Sequence, residues 1–171
     1  MKKLTTGVLT ALLMISGVSL PAYALDETSA QTEFSYIQKN EPTYTVSIPS
    51  SLALSKEGSP LTIEATDVAY LDGKKVSVTI TGTDYYRNQL VLHAKTSKPT
   101  YSDTIRYQLI RADNQIIETT GQDTATGTEL ASFTDKGTVT YTVKPVLHSK
   151  LNLEPGIKYT GTMNFGIGLT E

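Results

Sequence analysis

Alternation of apolar and polar residues with a period of two recurs along most of this chain, and no other feature restricts its fold as much. Tyr44, Val46 and Ile48 alternate with Thr45 and Ser47. The same pattern returns in six later segments, at 61–65, 76–80, 90–93, 105–109, 139–143 and 163–169. It places one set of side chains on each face of a half-buried strand. These segments are also rich in Thr, Val, Ile and Tyr, which favour a pleated surface.

Turn-forming residues separate the alternating segments. They are Asp72-Gly73, Ala112-Asp113-Asn114, Asp135-Lys136-Gly137 and Pro155-Gly156. The third of these predicts a hairpin whose glycine adopts a positive φ. Helical periodicity is weak, and a short helix is expected at most near 127–132 or 147–153. The chain is therefore predicted to be all-β: an antiparallel β-sandwich, immunoglobulin-like or Greek-key, of about 7–9 strands.

The apolar residues of the alternating segments predict the core between two sheets. The expected core residues are Val46, Ile48, Leu52, Ile63, Val76, Val78, Ile80, Leu90, Leu92, Ile105, Leu109, Phe133, Val139, Val143, Met163 and Phe165. Most of the 10 tyrosines are expected at sheet edges, because the ring is apolar and the hydroxyl is polar.

The N-terminal residues have the features of an export signal. Lys2 and Lys3 precede an apolar run at 7–20, and Ala22 and Ala24 occupy the small positions of a cleavage site. This order predicts a secretory signal peptide at 1–24 and a secreted, extracellular protein. The alternative is an uncleaved leader, which would be the only membrane contact. The remainder is predicted to divide into a flexible N-terminal arm at 25–41 and a β-sandwich domain at 42–171.

Composition excludes several kinds of site. The chain contains no cysteine and only 2 histidines, so a disulfide framework, thiol catalysis, an iron–sulfur cluster and a Cys-ligated zinc are excluded. A net charge of −2 argues against a nucleic-acid partner, which normally selects a basic face. We expect no cofactor and no metal site. A weak calcium site between aspartate-bearing loops stays open as an alternative.

No catalytic constellation is evident in the sequence. The Gly-x-Ser-x-Gly turn of a hydrolase does not occur, and His93 and His148 are expected at the surface or rim. Most aspartates fall in predicted turns, where they usually cap their own backbone. We expect no catalytic residue and no enzymatic activity. The alternative is a small extracellular carbohydrate-active or hydrolytic enzyme, which would need two carboxylates facing each other across a cleft.

Two clusters are candidates for contact with a partner. Tyr85, Tyr86 and Arg87 combine aromatic and guanidinium groups, which are enriched at binding hot spots, and predict contact with a glycan or protein. The alternative is a loop that covers a sheet edge.

The second cluster, Phe34, Tyr36 and Ile37, lies in the predicted arm. These residues predict a strand-exchange arm that adds to the sheet edge of a neighbouring copy and builds a filament. An unstructured terminus, or a strand folded onto its own domain, is the alternative.

Three stretches carry a family resemblance: Tyr44–Leu52 (YTVSIPSSL), Thr66–Val78 and Pro155–Phe165. They resemble strands of the WxL-type surface domains of small exported proteins from Gram-positive bacteria. The resemblance implies a cell-surface β-sandwich that acts in adhesion, surface assembly or ligand binding, with a surface protein, a glycan or copies of itself as partner. Because the chain contains no tryptophan, it lacks the Trp-x-Leu motifs. Peptidoglycan attachment is therefore not implied, and no functional residue is carried over.

Overall fold

The structure is a computed structural model that describes residues 32–171. The predicted signal peptide at 1–24 and the first part of the predicted arm lie outside the described residues. Residues 38–171 form one compact unit, and 32–37 belong to a separate unit in which no strand or helix is assigned. Within 32–171, no helix is long and apolar enough to cross a membrane.

The described residues contain nine β-strands. They are β1 (Val46–Ser47), β2 (Ser59–Ala65), β3 (Lys75–Thr83), β4 (Val91–His93), β5 (Thr104–Arg111), β6 (Ile116–Ile117), β7 (Glu129–Phe133), β8 (Gly137–Pro145) and β9 (Met163–Thr170). A single 3-10 turn, Tyr86–Asn88, accompanies them in this part of the chain. The alternating segments of the sequence thus become strands, although the first of them pairs over only two residues.

The strands form two antiparallel sheets, which confirms the predicted β-sandwich. The first has the order β1-β2-β8-β5, with β4 and β6 both pairing with β5. Its longest ladder joins β2 to β8 and places Ile63 opposite Val139. The second sheet has the order β7-β3-β9. The chain passes between the sheets after β2, β3, β6, β7 and β8, so most neighbouring strands are distant in sequence.

The core lies between the inner faces of the two sheets. Alternate residues of β3 face it, and Val76, Val78 and Ile80 are completely buried there. Ile63 of β2 and Leu109 of β5 are equally buried on the opposite sheet. Most of the predicted core is therefore confirmed, with Val46, Ile48, Leu92, Val139, Met163 and Phe165 only partly buried at its margin. Leu52 is wrong as a core residue, because it lies outside any strand and stays 36% exposed.

One other local prediction, the hairpin at 135–137, is wrong, and two findings narrow the expectations for the tyrosines and for a short helix. Tyr107 and Tyr141 lie in the core rather than at sheet edges; the Tyr141 hydroxyl is satisfied there by the carbonyl of Leu130 at 2.6 Å. The turn at 135–137 is not a hairpin, since β7 and β8 belong to different sheets and its glycine has no positive φ. A helix near 127–132 is excluded by β7.

Candidate functional site

The last strand, β9, is an unprotected sheet edge. It hydrogen-bonds to β3 on one side and to no other strand of the described chain. Its eight residues, MNFGIGLT, include neither a charged residue nor a proline. Native proteins usually shorten or charge such edges, because the unpaired N–H and C=O groups can bond to another chain. The other edge strands of the described chain follow that rule: β1, β4 and β6 have two or three residues each, and β7 carries the charged Glu129.

The core-facing side of β9 is only half covered. Phe165, Ile167 and Leu169 face the core, because their register partners in β3 are Ile80, Val78 and Val76. Those three partners are completely buried, yet Ile167 remains 43% exposed. An inward-facing residue stays exposed when no element lies beyond the edge to cover it. The sandwich is thus open along β9.

An apolar cleft lies where β9 begins. It has a volume of about 220 Å³ and is bounded on its other side by the segment that follows β1. Its lining residues are Pro49, Ser50, Ser51, Leu52, Leu54, Leu61, Leu92, Tyr107, Val143, Gly161, Thr162, Met163 and Phe165. A wider groove shares several of these residues and continues past Leu147 and Tyr159. We call the cleft together with the exposed edge of β9 the β9 cleft.

The β9 cleft has little capacity for acid–base chemistry. Tyr107 is the one ionisable residue among those that line it in the described chain. Burial raises the pKa of Tyr107, with a smaller contribution from the charge of Asp84, so its hydroxyl stays protonated at neutral pH. The chemistry that the cleft offers is apolar contact together with the backbone hydrogen bonds of an open strand.

Asp84, at the end of β3, holds the beginning of β9 in place. Its Oδ1 accepts a hydrogen bond from the Thr162 N–H at 2.9 Å, and its own N–H donates to the Thr162 carbonyl. Partial burial opposes ionisation, but the Thr162 N–H and the nearby His93 imidazole keep the pKa of Asp84 below its usual range. His93 and Thr160 add two backbone hydrogen bonds beside it. The entrance of the cleft is thereby tied to β3 and β4.

His93 belongs to this structural contact. Its Nε2 lies 3.5 Å from Asp84 Oδ2, and its ring lies 6.1 Å from that of Tyr85. His148 is exposed in the loop after β8. Within 32–171, no three His, Asp or Glu side chains are grouped closely enough to hold a metal ion.

The predicted contact residues Tyr85, Tyr86 and Arg87 lie in and around the 3-10 turn after β3. The Arg87 guanidinium lies 5.3 Å from the centre of the exposed Tyr86 ring, which is a cation–π distance. Arg87 and Asn88 both have positive φ, a costly conformation for residues other than glycine. Tyr85 turns instead toward His93. The three residues therefore do not form one continuous face, and Tyr86 with Arg87 is the exposed part.

The predicted arm residues Phe34, Tyr36 and Ile37 lie in the separately described unit. All three side chains are exposed, Phe34 by 91% and Tyr36 by 81%. Large apolar groups that stay in water are common singly, but three within four residues form an exposed apolar patch. No strand is assigned to this segment.

Comparison with known proteins adds no relative, since the sequence matches no protein-family model and no curated protein. The β9 cleft could not be recognised as a site from the sequence. The alternation at 163–169 predicts the strand, but its position at a sheet edge depends on pairing between segments that are distant in sequence. The absence of charge and proline in 163–170 was the signal that could have indicated it.

Proposed function

We propose that this protein is a secreted, non-enzymatic β-sandwich that works at the cell surface by binding a partner in the β9 cleft. The observation that carries the proposal is the exposure of Ile167 on the core side of an uncharged edge strand. An extended partner laid along β9 would bond to its free backbone groups and cover that side chain. β-Strand addition is a common mode of peptide and protein recognition at such edges.

The lining of the cleft favours binding over catalysis. A glycoside hydrolase needs two carboxylates on opposite sides of its substrate. Among the described residues that line the β9 cleft, none carries a carboxylate. The pKa of Tyr107 is raised further above neutral pH, so this hydroxyl is poorly suited to act as a general base. These features support an interaction protein and weigh against the alternative of a small extracellular carbohydrate-active or hydrolytic enzyme.

An extracellular location is proposed from the predicted leader and from the resemblance to WxL-type domains. Since the chain has no tryptophan, retention at the surface would need a contact other than a Trp-x-Leu motif. The β9 cleft would provide that contact. Tyr86 and Arg87 stay a second candidate surface for a glycan or protein, because both side chains of their cation–π pair are exposed.

The test is fractionation of producing cells that express the full-length gene, with surface exposure measured by protease treatment of intact cells. We expect the wild-type protein on the surface. Ile167→Lys should be released into the medium as folded protein, because a charge would replace the exposed apolar side chain on the edge strand β9. Tyr86→Ser, which removes an exposed aromatic residue elsewhere, is the matched control and should be retained. Equal retention of Ile167→Lys and wild type would overturn the proposal.

A further inference from the structure

We propose that the occupant of the β9 cleft is the arm of a second copy of this chain. Residues 32–38 of one copy add as a strand to the free edge of β9 in the next, with Phe34 and Tyr36 inserted into the cleft. The inference rests on the proposed function of the cleft and names the partner that binds there.

The arm matches the edge in length and pattern. Residues 32–38, TEFSYIQ, span about 23 Å when extended, and the eight residues of β9 span about 26 Å. Alternation in a strand places Phe34 and Tyr36 on one face, with Ser35 and Ile37 on the other. Two aromatic rings two residues apart can therefore enter the same cleft while the backbone bonds to β9.

The arm and the edge of β9 both expose groups that the other could cover. Phe34 and Tyr36 are highly exposed rings, and Ile167 is an inward-facing side chain that is only partly covered. The edge of β9 also lacks a hydrogen-bonding partner on its outer side within the described chain. One contact between two copies would satisfy all of these groups.

The charges of the arm and of the sheet edge also favour the arm of a second copy as the occupant. The segment 25–38 carries Asp26, Glu27 and Glu33 but no lysine or arginine. In an antiparallel arrangement, this acidic segment would pass the end of β9, where Lys75 of β3 is the register partner of Thr170. An acidic arm thus meets a basic residue at that end of the edge.

Strand direction favours a second copy over the arm of the same chain. Lys39 Nζ lies 2.7 Å from Asp72 Oδ2, which fixes the chain after the arm beside the β2–β3 connection. That connection leads into Lys75, whose register partner is Thr170 at the end of β9. An arm of the same chain would therefore have to run parallel to β9. A second copy can enter antiparallel, the slightly more stable pairing.

The geometry of this contact predicts a polymer. Each copy has one arm to donate and one cleft to accept, and the two surfaces differ. A head-to-tail contact of this kind builds an open filament unless the rotation between copies closes a ring.

The test measures mass in solution by analytical ultracentrifugation over a range of concentrations, using protein expressed from the complete sequence. Wild type should form a concentration-dependent series of oligomers. The donor variant Phe34→Ser/Tyr36→Ser and the acceptor variant Ile167→Lys should each associate at least about tenfold more weakly, as expected when aromatic anchors are lost or a charge is placed on the apolar edge of β9. Tyr86→Ser is the control and should assemble like wild type.

Mixing the two defective variants gives the sharper result. The donor variant keeps an intact cleft and the acceptor variant keeps an intact arm, so an equimolar mixture should form a heterodimer and nothing larger. A mixture that stays monomeric, or a wild type that stays monomeric at every concentration, overturns the inference. Variants that assemble like wild type also overturn it.

A peptide of residues 32–38 extends the test to unaltered protein. It should inhibit wild-type assembly, whereas a peptide of the same composition in scrambled order should not; equal inhibition by both would contradict the inference, even if Ile167→Lys failed to fold. The proposed function is tested separately from this inference. If Ile167→Lys is released from cells while purified wild type remains monomeric, the cleft binds a partner other than a second copy.

Discussion

Tyr141 connects the two sheets across the core through a hydrogen bond of its hydroxyl. Removing this hydroxyl tests how much that hydrogen bond stabilises the fold. The side chain belongs to β8 in the six-stranded sheet and donates to the Leu130 carbonyl of β7 at 2.6 Å. Tyr141 and Leu130 are each 2% exposed. Leu130 also lies where the β3–β7 register shifts, between Glu129 and Ala131, so it has no register partner in β3. Tyr141→Phe deletes the hydroxyl and keeps the ring.

The expected cost follows from the carbonyl that is left behind. A buried polar group without a partner costs about 1–3 kcal/mol. Water cannot easily replace the hydroxyl, because Leu130 is almost completely buried. We therefore expect Tyr141→Phe to lower the free energy of unfolding by about 2 kcal/mol. For a domain of this size, that loss corresponds to a decrease in Tm of roughly 5–10 °C.

Urea unfolding followed by circular dichroism measures this loss, with an unchanged slope showing that two-state unfolding holds. Tyr107→Phe is the matched control. Tyr107 is also a buried core tyrosine, on the adjacent strand β5, but its hydroxyl makes no hydrogen bond within 32–171 and lines the β9 cleft. Its replacement should cost about 0.5 kcal/mol or less. Equal losses in the two variants would refute the reasoning, since they would show that the Leu130 contact is not what stabilises the fold.

Two further predictions concern the entrance of the β9 cleft. Gly161→Ala should lower the free energy of unfolding by about 1–3 kcal/mol in the same urea unfolding assay, because the added methyl would lie 2.8 Å from the Val91 carbonyl oxygen. Gly168→Ala is the control: its added methyl would have no atom within 4 Å, so its stability should stay within about 0.5 kcal/mol of wild type. Asp84→Asn should be less stable than wild type at pH 7, because the lowered pKa of Asp84 means that its ionised form stabilises the fold. That advantage is present above the unfolded-state pKa of about 4 and is lost as pH falls through the lower folded-state value, so the difference between the two proteins should close in acid. A difference that persists unchanged at low pH would contradict this account of Asp84.

The strands could be predicted from the sequence because period-two alternation is a local property. The segment around Val76–Ile80 shows this, since its inward residues are the most completely buried of the core. Pairing between strands is not local. The turn at 135–137 looks like a hairpin in sequence, yet β7 pairs with β3 and β8 with β2 and β5. Which strands pair is decided by contacts between segments that are distant in sequence.

The same limit applies to the candidate site. Phe34, Tyr36 and Ile37 can be recognised from the sequence as a candidate arm, because apolar residues within a polar segment are a local feature of the sequence. The site proposed to receive such an arm is not visible locally, because it depends on Ile167 facing inward at an edge that pairs with no further strand within 32–171. The burial of Tyr107 and Tyr141 could not be predicted from the sequence for a similar reason. Tyr141 is buried because a carbonyl from the opposite sheet lies within reach of its hydroxyl, and no sequence pattern reports that distance.

Disulfide formation between copies tests the central claim most directly, because the chain contains no cysteine that could compete. One copy would carry Tyr36→Cys, and its partner a single cysteine at one of the core-facing positions 165, 167 and 169. We predict a cross-linked dimer with at least one of these positions, since facing residues on adjacent strands bring their Cβ atoms to about 4.5–5.5 Å. Gly168→Cys, on the opposite face of β9, should not cross-link to it. No cross-link at any core-facing position, or equal cross-linking at position 168, would contradict the addition of the arm beside β9.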